Sequence, residues 1–145
     1  MNQYTGDTYK MIIALIMYTS EAVTRGIRVH VTAYYSPENS DPLRDHWFFL
    51  YNVQISNEGS ETVQLISRHW IITDAANKVE EVRGLGVVGR QPILAPGESF
   101  EYTSSCPLST PFGSMRGTYQ MISAEGERFD IKIAPFALTG QYTLH

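Results

Sequence analysis

The sequence has one cysteine, Cys106, so no disulfide bond can form within the chain. It also lacks a basic excess: 11 Lys and Arg stand against 15 Asp and Glu, a formal net charge of −4. That balance argues against a general nucleic-acid-binding face, and the single cysteine favours a reducing, cytoplasmic setting. With 145 residues, 43% of them hydrophobic, the chain is long enough for one domain with a sizeable core.

Long hydrophobic runs are missing as well. The apolar run at residues 11–17 has seven residues, far short of the roughly 20 that cross a bilayer. A secretory signal needs a basic flank and a small-residue cleavage site, and Tyr18-Thr19-Ser20 is a poor site. We therefore expect no membrane span and no signal peptide. Residues 1–19 are expected to be a flexible or atypical N-terminal extension, as a disordered segment or an additional apolar strand.

Alternation of apolar and polar residues replaces any helical period along the chain. One clear case is the segment 27–33, where Ile, Val, Val and Ala alternate with polar residues. The apolar parity changes between Leu65 and Trp70, which predicts a bulge near Ser67. Pro135 is expected to end the last strand. About seven or eight short strands at near-regular spacing predict an all-β fold, an immunoglobulin or fibronectin type III-like sandwich of antiparallel strands.

The most distinctive motif is a Gly-x-Gly-x-x-Gly signature at residues 84–89. This signature is typical of phosphate binding when a helix follows it. Here Val87 and Val88 favour extended structure, and Pro92 and Pro96 interrupt the chain soon afterwards. We therefore expect a loop between strands and no helix.

Two interpretations of this loop remain open. In the first, the glycines form a β-turn and bulge between strands. In the second, their backbone N–H groups bind a phosphate or another small anion, with arginines supplying charge. The residues of this candidate anion site are Arg83, Gly84, Gly86, Gly89 and Arg90.

No metal-binding or catalytic constellation stands out in the sequence. The histidines (His30, His46, His69 and His145) are scattered, whereas zinc sites need His and Cys at tight spacing. Glu80 and Glu81 point to opposite faces of a predicted strand, so they do not converge on a cation. Cys106 is interpreted as a small residue at a strand end and His69 as a core or rim histidine. We expect no catalytic residue, no cofactor and no metal site.

The strand that contains Trp47 is apolar on both faces. Phe48 and Leu50 lie opposite the face that carries Tyr51. Either both faces are covered, or one is exposed and marks a partner or dimer surface.

Four blocks of the sequence resemble the ApaG family. They are QLISRHWIITD at residues 64–74, GLGVVGRQP at 84–92, LAPGESFEYTS at 94–104 and TPFGSMRGTYQM at 110–121. They occur in the order typical of that family, and the chain ends on Leu144-His145, which is similar too. The resemblance places an ApaG domain at residues 20–145.

This resemblance implies a fibronectin type III-like sandwich in a family whose bacterial members are associated with cobalt resistance and with magnesium and cobalt homeostasis. Similar eukaryotic domains occur in an F-box substrate receptor and in a DNA-polymerase-interacting protein, where they look like protein-interaction modules. The family offers no catalytic residues to carry over. We therefore predict a cytoplasmic, non-enzymatic binding module with a protein partner, as a monomer or weak homodimer, without nucleic acid or membrane. The alternative is binding of a small anion or nucleotide phosphate through the loop 84–89.

Overall fold

A computed structural model describes residues 17–140 of the chain. Within that range lie nine β-strands and two single-turn 3-10 helices, at Pro37–Asn39 and Pro42–Arg44. The strands are β1 (Tyr18–Thr24), β2 (Ile27–Tyr35), β3 (Trp47–Asn57), β4 (Val63–Asp74), β5 (Val79–Leu85), β6 (Ile93–Leu94), β7 (Ser99–Leu108), β8 (Phe112–Ser123) and β9 (Arg128–Thr139). The predicted all-β class is confirmed. Most of the predicted extension at residues 1–19 lies outside the described residues.

The strands form two antiparallel sheets that pack as a sandwich. One sheet has the order β1-β2-β3-β7; the other has the order β5-β4-β8-β9, with β6 paired to β4. On one side of the sandwich β1 and β9 meet, where the Ser20 hydroxyl donates to the Ala134 carbonyl at 2.9 Å. On the other side β5 and β7 end their sheets and do not pair with each other in the described part of the chain. The sandwich is therefore closed on one side and open on the other.

The core lies between the sheets because alternate residues of each strand point inward. The predicted inward set of β2, from Ile27 to Ala33, is at most 1% exposed. In β3, Phe49 is buried, whereas Phe48 and Leu50 on the opposite face are half-buried. Rings from both sheets meet at Trp70, whose ring centroid lies 5.3 Å from that of Tyr51 and packs edge-on. Such aromatic contacts add to the apolar burial that holds the sheets together.

Two irregularities interrupt the ladder of the second sheet. The predicted bulge is confirmed, since the register of β4 against β8 shifts between Leu65 and Ser67. The prediction that Pro135 ends its strand is wrong, because β9 continues to Thr139. The register of β8 against β9 shifts opposite this proline. The regular ladder is interrupted there, so the N–H that proline lacks is not needed for a hydrogen bond between the strands.

Candidate functional site

The glycine segment is built as a strand end and a tight turn. Gly84 lies in β5, and no helix follows it up to residue 140, where the described part of the chain ends. The N–H of Val87 donates to the Arg90 carbonyl at 2.8 Å, and the N–H of Arg90 donates back to Val87 at 2.8 Å. The two residues between them, Val88 and Gly89, have positive φ angles of 44° and 76°. This geometry matches a two-residue type I′ turn.

The turn uses most of its own N–H groups. Besides the two bonds that close it, the Gly86 N–H donates to the Ile66 carbonyl at 2.8 Å. Gly86 is required for two reasons: its φ is 63°, and a Cβ there would run into the Arg90 carbonyl. Only the N–H groups of Val88 and Gly89 lie outside these bonds. An anion at this turn would therefore have only these two N–H groups, at the tip, as backbone donors from the turn.

The two arginines of the candidate anion site have different neighbours. Arg83 is 72% exposed and its guanidinium lies 3.7 Å from the Glu81 carboxylate. The Arg90 guanidinium lies over the Phe100 ring, 5.9 Å from its centroid. The structure thus keeps the five predicted residues in one segment, but it directs the two charges to separate contacts.

A third arginine, Arg68, contacts this segment directly, and the sequence interpretation did not include it. Its guanidinium lies against Gly84, where a Cβ would come within 2.7–2.9 Å of three guanidinium atoms. Its Nη1 donates to the carbonyls of Leu85 at 3.0 Å and Gly86 at 2.8 Å. Gly84 therefore leaves room for a side chain of this protein. One signal could have revealed Arg68: the bulge gives it the inward parity of Trp70, where an arginine is unusual.

Arg68 has no acidic partner among residues 17–140. The ion pairs formed there involve Arg25, Arg28, Arg44, Arg83 and two histidines. Its Nε and Nη2 make no hydrogen bond in that part of the chain, where Nη1 alone is bonded. A guanidinium that is half-buried and unpaired is a candidate for an external acceptor.

Arg68 lines a crevice on the open side of the sandwich, which we call the β5–β7 crevice. Its volume is about 240 Å³. Apart from Arg68, the β4–β8 wall is apolar, the β7 wall carries two serine hydroxyls, and the β5 rim consists of Glu80 and Val82. The lining residues are Tyr51, Arg68, Trp70, Ile72, Glu80, Val82, Ser104, Ser105, Cys106, Pro107 and Met115.

The groups beneath the crevice are neutral at physiological pH. Burial, and to a smaller extent the nearby Glu80 carboxylate, raise the pKa of the Cys106 thiol to about 12. Burial also raises the pKa values of Tyr102 and Tyr119, whose hydroxyls hydrogen-bond each other in the core. A protonated, buried thiol is a poor nucleophile. The side chain of Cys106 therefore packs as a small core residue, in agreement with the sequence interpretation.

On the outer face of the second sheet, His69 Nε2 lies 2.8 Å from a Glu81 carboxylate oxygen. The histidine is therefore a partnered rim residue, as the sequence indicated. Within residues 17–140, no three or more His, Cys, Asp or Glu side chains are grouped so as to hold a metal ion. No helix in the same range has the length and apolar character needed to cross a membrane.

Comparison with known proteins assigns the family. The ApaG domain model matches residues 37–123. Protein ApaG of Bordetella pertussis is 57% identical over 119 residues, covering 82% of this chain and 91% of that protein. Protein ApaG of a Bradyrhizobium species is 59% identical over 117 residues, covering 81% and 90%. The crystal structure of the putative ApaA protein from Bordetella pertussis superposes with a TM-score of 0.78 at 56% identity, covering 81% of this chain and 95% of that one. The chain belongs to the ApaG domain family.

Proposed function

We propose that this chain is a non-catalytic module that binds a partner protein by adding an extended partner segment to the edge of β5. The observation that carries the proposal is that β5 ends its sheet on the open side of the sandwich. An edge strand presents backbone groups that can pair with another chain. Two large apolar side chains of β5 are also exposed, Val79 at 58% and Leu85 at 76%. They offer apolar contact area beside the backbone groups.

The ladder between β4 and β5 determines which backbone groups face outward. Gly86 donates to Ile66 in β4, so alternate residues of β5, including Gly84, direct their N–H and C=O groups to β4. The N–H and C=O groups of Glu81 and Arg83 then face away from the sheet. Arg68 occupies the Leu85 carbonyl, but not those of Glu81 and Arg83.

Charged side chains on an edge strand normally protect it from pairing. In β5 the outer charges are directed back over the sheet. The Glu81 carboxylate binds His69 of β4 at 2.8 Å, and Arg83 lies 3.7 Å from Glu81. This arrangement leaves the backbone edge accessible. In this proposal the domain acts in the cytoplasm and supplies the binding surface. Any effect on cobalt and magnesium homeostasis is exerted by the partner protein that it binds.

The test uses two substitutions at one edge residue. A random dodecapeptide library is selected on the domain, and the enriched peptide is titrated against the wild type, Arg83→Ala and Arg83→Pro. Proline removes the outward N–H while sparing the bonds to β4, whereas alanine removes only the side chain. We expect Arg83→Pro to weaken binding by about 10-fold or more and Arg83→Ala by about 3-fold or less, taking one hydrogen bond as about 1 kcal/mol and adding the steric cost of the ring.

Hydrogen exchange supplies the second readout. The amides of Glu81 and Arg83 are expected to gain protection when the peptide binds, and those of β1, on the closed side, are the control. A selection that enriches no peptide would contradict the proposal. So would a peptide that Arg83→Pro binds as well as the wild type does, or one that leaves both amides unprotected.

Binding of a small anion is the second candidate function. Its support is the turn tip, where Val88, a β-branched residue, is held at a φ of 44° beside Gly89 at 76°. Such strain in the backbone can mark a functional site. Pyrophosphate, and ATP with Mg²⁺, are titrated while the amide signals of residues 83–90 are followed by NMR. Saturable shifts confined to Val88, Gly89 and the arginines would favour this function, and no shift at millimolar ligand would exclude it.

A further inference from the structure

We propose that the β5–β7 crevice recognises an acidic side chain of the partner segment through Arg68. This inference rests on the proposed pairing at the edge of β5. A strand added to that edge alternates its side chains between the two faces of the sheet. Those on the inner face lie over the crevice, because β5 forms its rim through Glu80 and Val82. One inward side chain of the partner segment therefore meets Arg68.

Charge complementarity identifies that side chain as a carboxylate. Arg68 brings a positive charge without an acidic partner among residues 17–140, and its Nη1 is held by the carbonyls of Leu85 and Gly86. These bonds fix the guanidinium plane and leave the Nε–Nη2 edge for an acceptor. That edge is the side of arginine that forms paired bonds with a carboxylate. Because the guanidinium is already positioned, little conformational entropy is lost when the carboxylate binds.

The remaining lining of the crevice fits one acidic side chain and disfavours several. A volume of about 240 Å³ accommodates one side chain with a few waters. The hydroxyls of Ser104 and Ser105 line the β7 side, and Trp70 and Val82 provide apolar contacts for the methylene groups. Glu80 lines the same crevice without forming an ion pair with Arg68. Its negative charge repels a second acidic group, so we infer one Glu or Asp at a single position of the recognised segment.

The experiment compares two peptides on one protein. The peptide enriched on the domain is synthesised as selected, with its acidic residue, and with that residue changed to its amide (Glu to Gln or Asp to Asn). We expect the amide peptide to bind the wild type at least about 10-fold more weakly, because hydrogen bonds to charged groups are worth more than neutral ones. On Arg68→Met the two peptides should bind equally. On the matched control Arg116→Met, which removes an exposed arginine from the outer face of the same sheet, the wild-type preference should persist.

Failure of this inference is distinguishable from failure of the proposed function. Peptides that protect the amides of Glu81 and Arg83 but tolerate the acid-to-amide change would overturn the role of Arg68 and leave edge pairing intact. Enrichment of peptides without an acidic residue would have the same meaning. A preference for the acid that survives Arg68→Met would also overturn it. If Arg68→Met does not fold, Arg68→Gln takes its place in the same comparison and should again bind the two peptides equally. Equal binding of the two peptides by the wild type overturns the inference in either case.

Discussion

The effect of Gly84→Ala on the free energy of unfolding should depend on the residue at position 68. The substitution should destabilise the wild type and stabilise a variant that lacks Arg68. In the wild type, the added Cβ would lie 2.7–2.9 Å from three guanidinium atoms of Arg68. The arginine must move, and its bonds to the carbonyls of Leu85 and Gly86, at 3.0 and 2.8 Å, are weakened or lost. Against this loss stands a gain. Gly84 does not have a positive φ, so alanine fits the strand backbone and reduces the entropy of the unfolded chain.

The two effects have comparable size. Alanine in an ordinary backbone conformation stabilises by about 0.4–1 kcal/mol relative to glycine. Two hydrogen bonds from a charged donor in a half-exposed setting are worth about 1–2 kcal/mol together after discounting for solvent screening. Gly84→Ala should therefore lower the free energy of unfolding by about 0.5–1 kcal/mol. In an Arg68→Ala background the same change should raise it by about 0.5–1 kcal/mol, a coupling of about 1–2 kcal/mol.

Urea unfolding of the wild type, both single variants and the double variant measures this coupling. Gly126→Ala is the control, since Gly126 has open space around it but a φ of 86°. That substitution should cost about 1 kcal/mol in both backgrounds because of its backbone alone. If Gly84→Ala has the same sign with and without Arg68, the guanidinium does not explain this glycine.

Three further predictions concern the core. Gly117→Ala should lower the midpoint of thermal unfolding by roughly 10 °C, which corresponds to about 3 kcal/mol, because the added Cβ would clash with the backbone carbonyl of His69. A shift under about 3 °C in calorimetry would contradict this. Tyr102→Phe or Tyr119→Phe alone should cost about 1–3 kcal/mol in urea unfolding by leaving one buried hydroxyl unpaired, and the double variant should cost less than the two single variants summed; additive losses would show that the hydroxyl pair is not coupled. The pKa of Cys106 is raised to about 12, so the protonated thiol contributes stability that is complete below the unfolded pKa of about 8.5 and is lost at up to about 1.4 kcal/mol per pH unit above it. Cys106→Ala should therefore flatten the fall in the free energy of unfolding between pH 9 and 10, and parallel curves for the variant and the wild type would refute the assignment.

Most of the fold could be predicted from local patterns. Alternation located the inward set of β2, and the parity change at Ser67 located the bulge in β4. Both signals depend only on which face a side chain takes. The failure at Pro135 has a different origin. Whether a strand tolerates proline depends on the register of its neighbour, and the shift in β8 near Met115 is not visible in the sequence of β9.

The candidate site was less predictable, because it depends on contacts between strands that are distant in sequence. Local turn chemistry correctly excluded a helix after Gly84. The neighbours of each charge were not predictable in the same way. Arg90 reaches the ring of Phe100 and Arg68 reaches over Gly84, and both contacts follow from strand pairing rather than from spacing along the chain. Proximity to the glycines along the sequence therefore selected Arg83 and Arg90 and missed Arg68.

The glycine signature itself can be explained without a bound anion. Gly84 is needed for the space that a guanidinium occupies, Gly86 for a positive φ and a close carbonyl, and Gly89 for a positive φ in open space. Three different local requirements, one for side-chain space and two for backbone conformation, thus produce the same spacing that phosphate loops use for a single purpose. Because one of them depends on Arg68, the motif points to the crevice rather than to the turn tip as the binding surface. A partner that binds this domain would then contact Arg68, the arginine that Gly84 accommodates, and the glycines would hold that arginine in position.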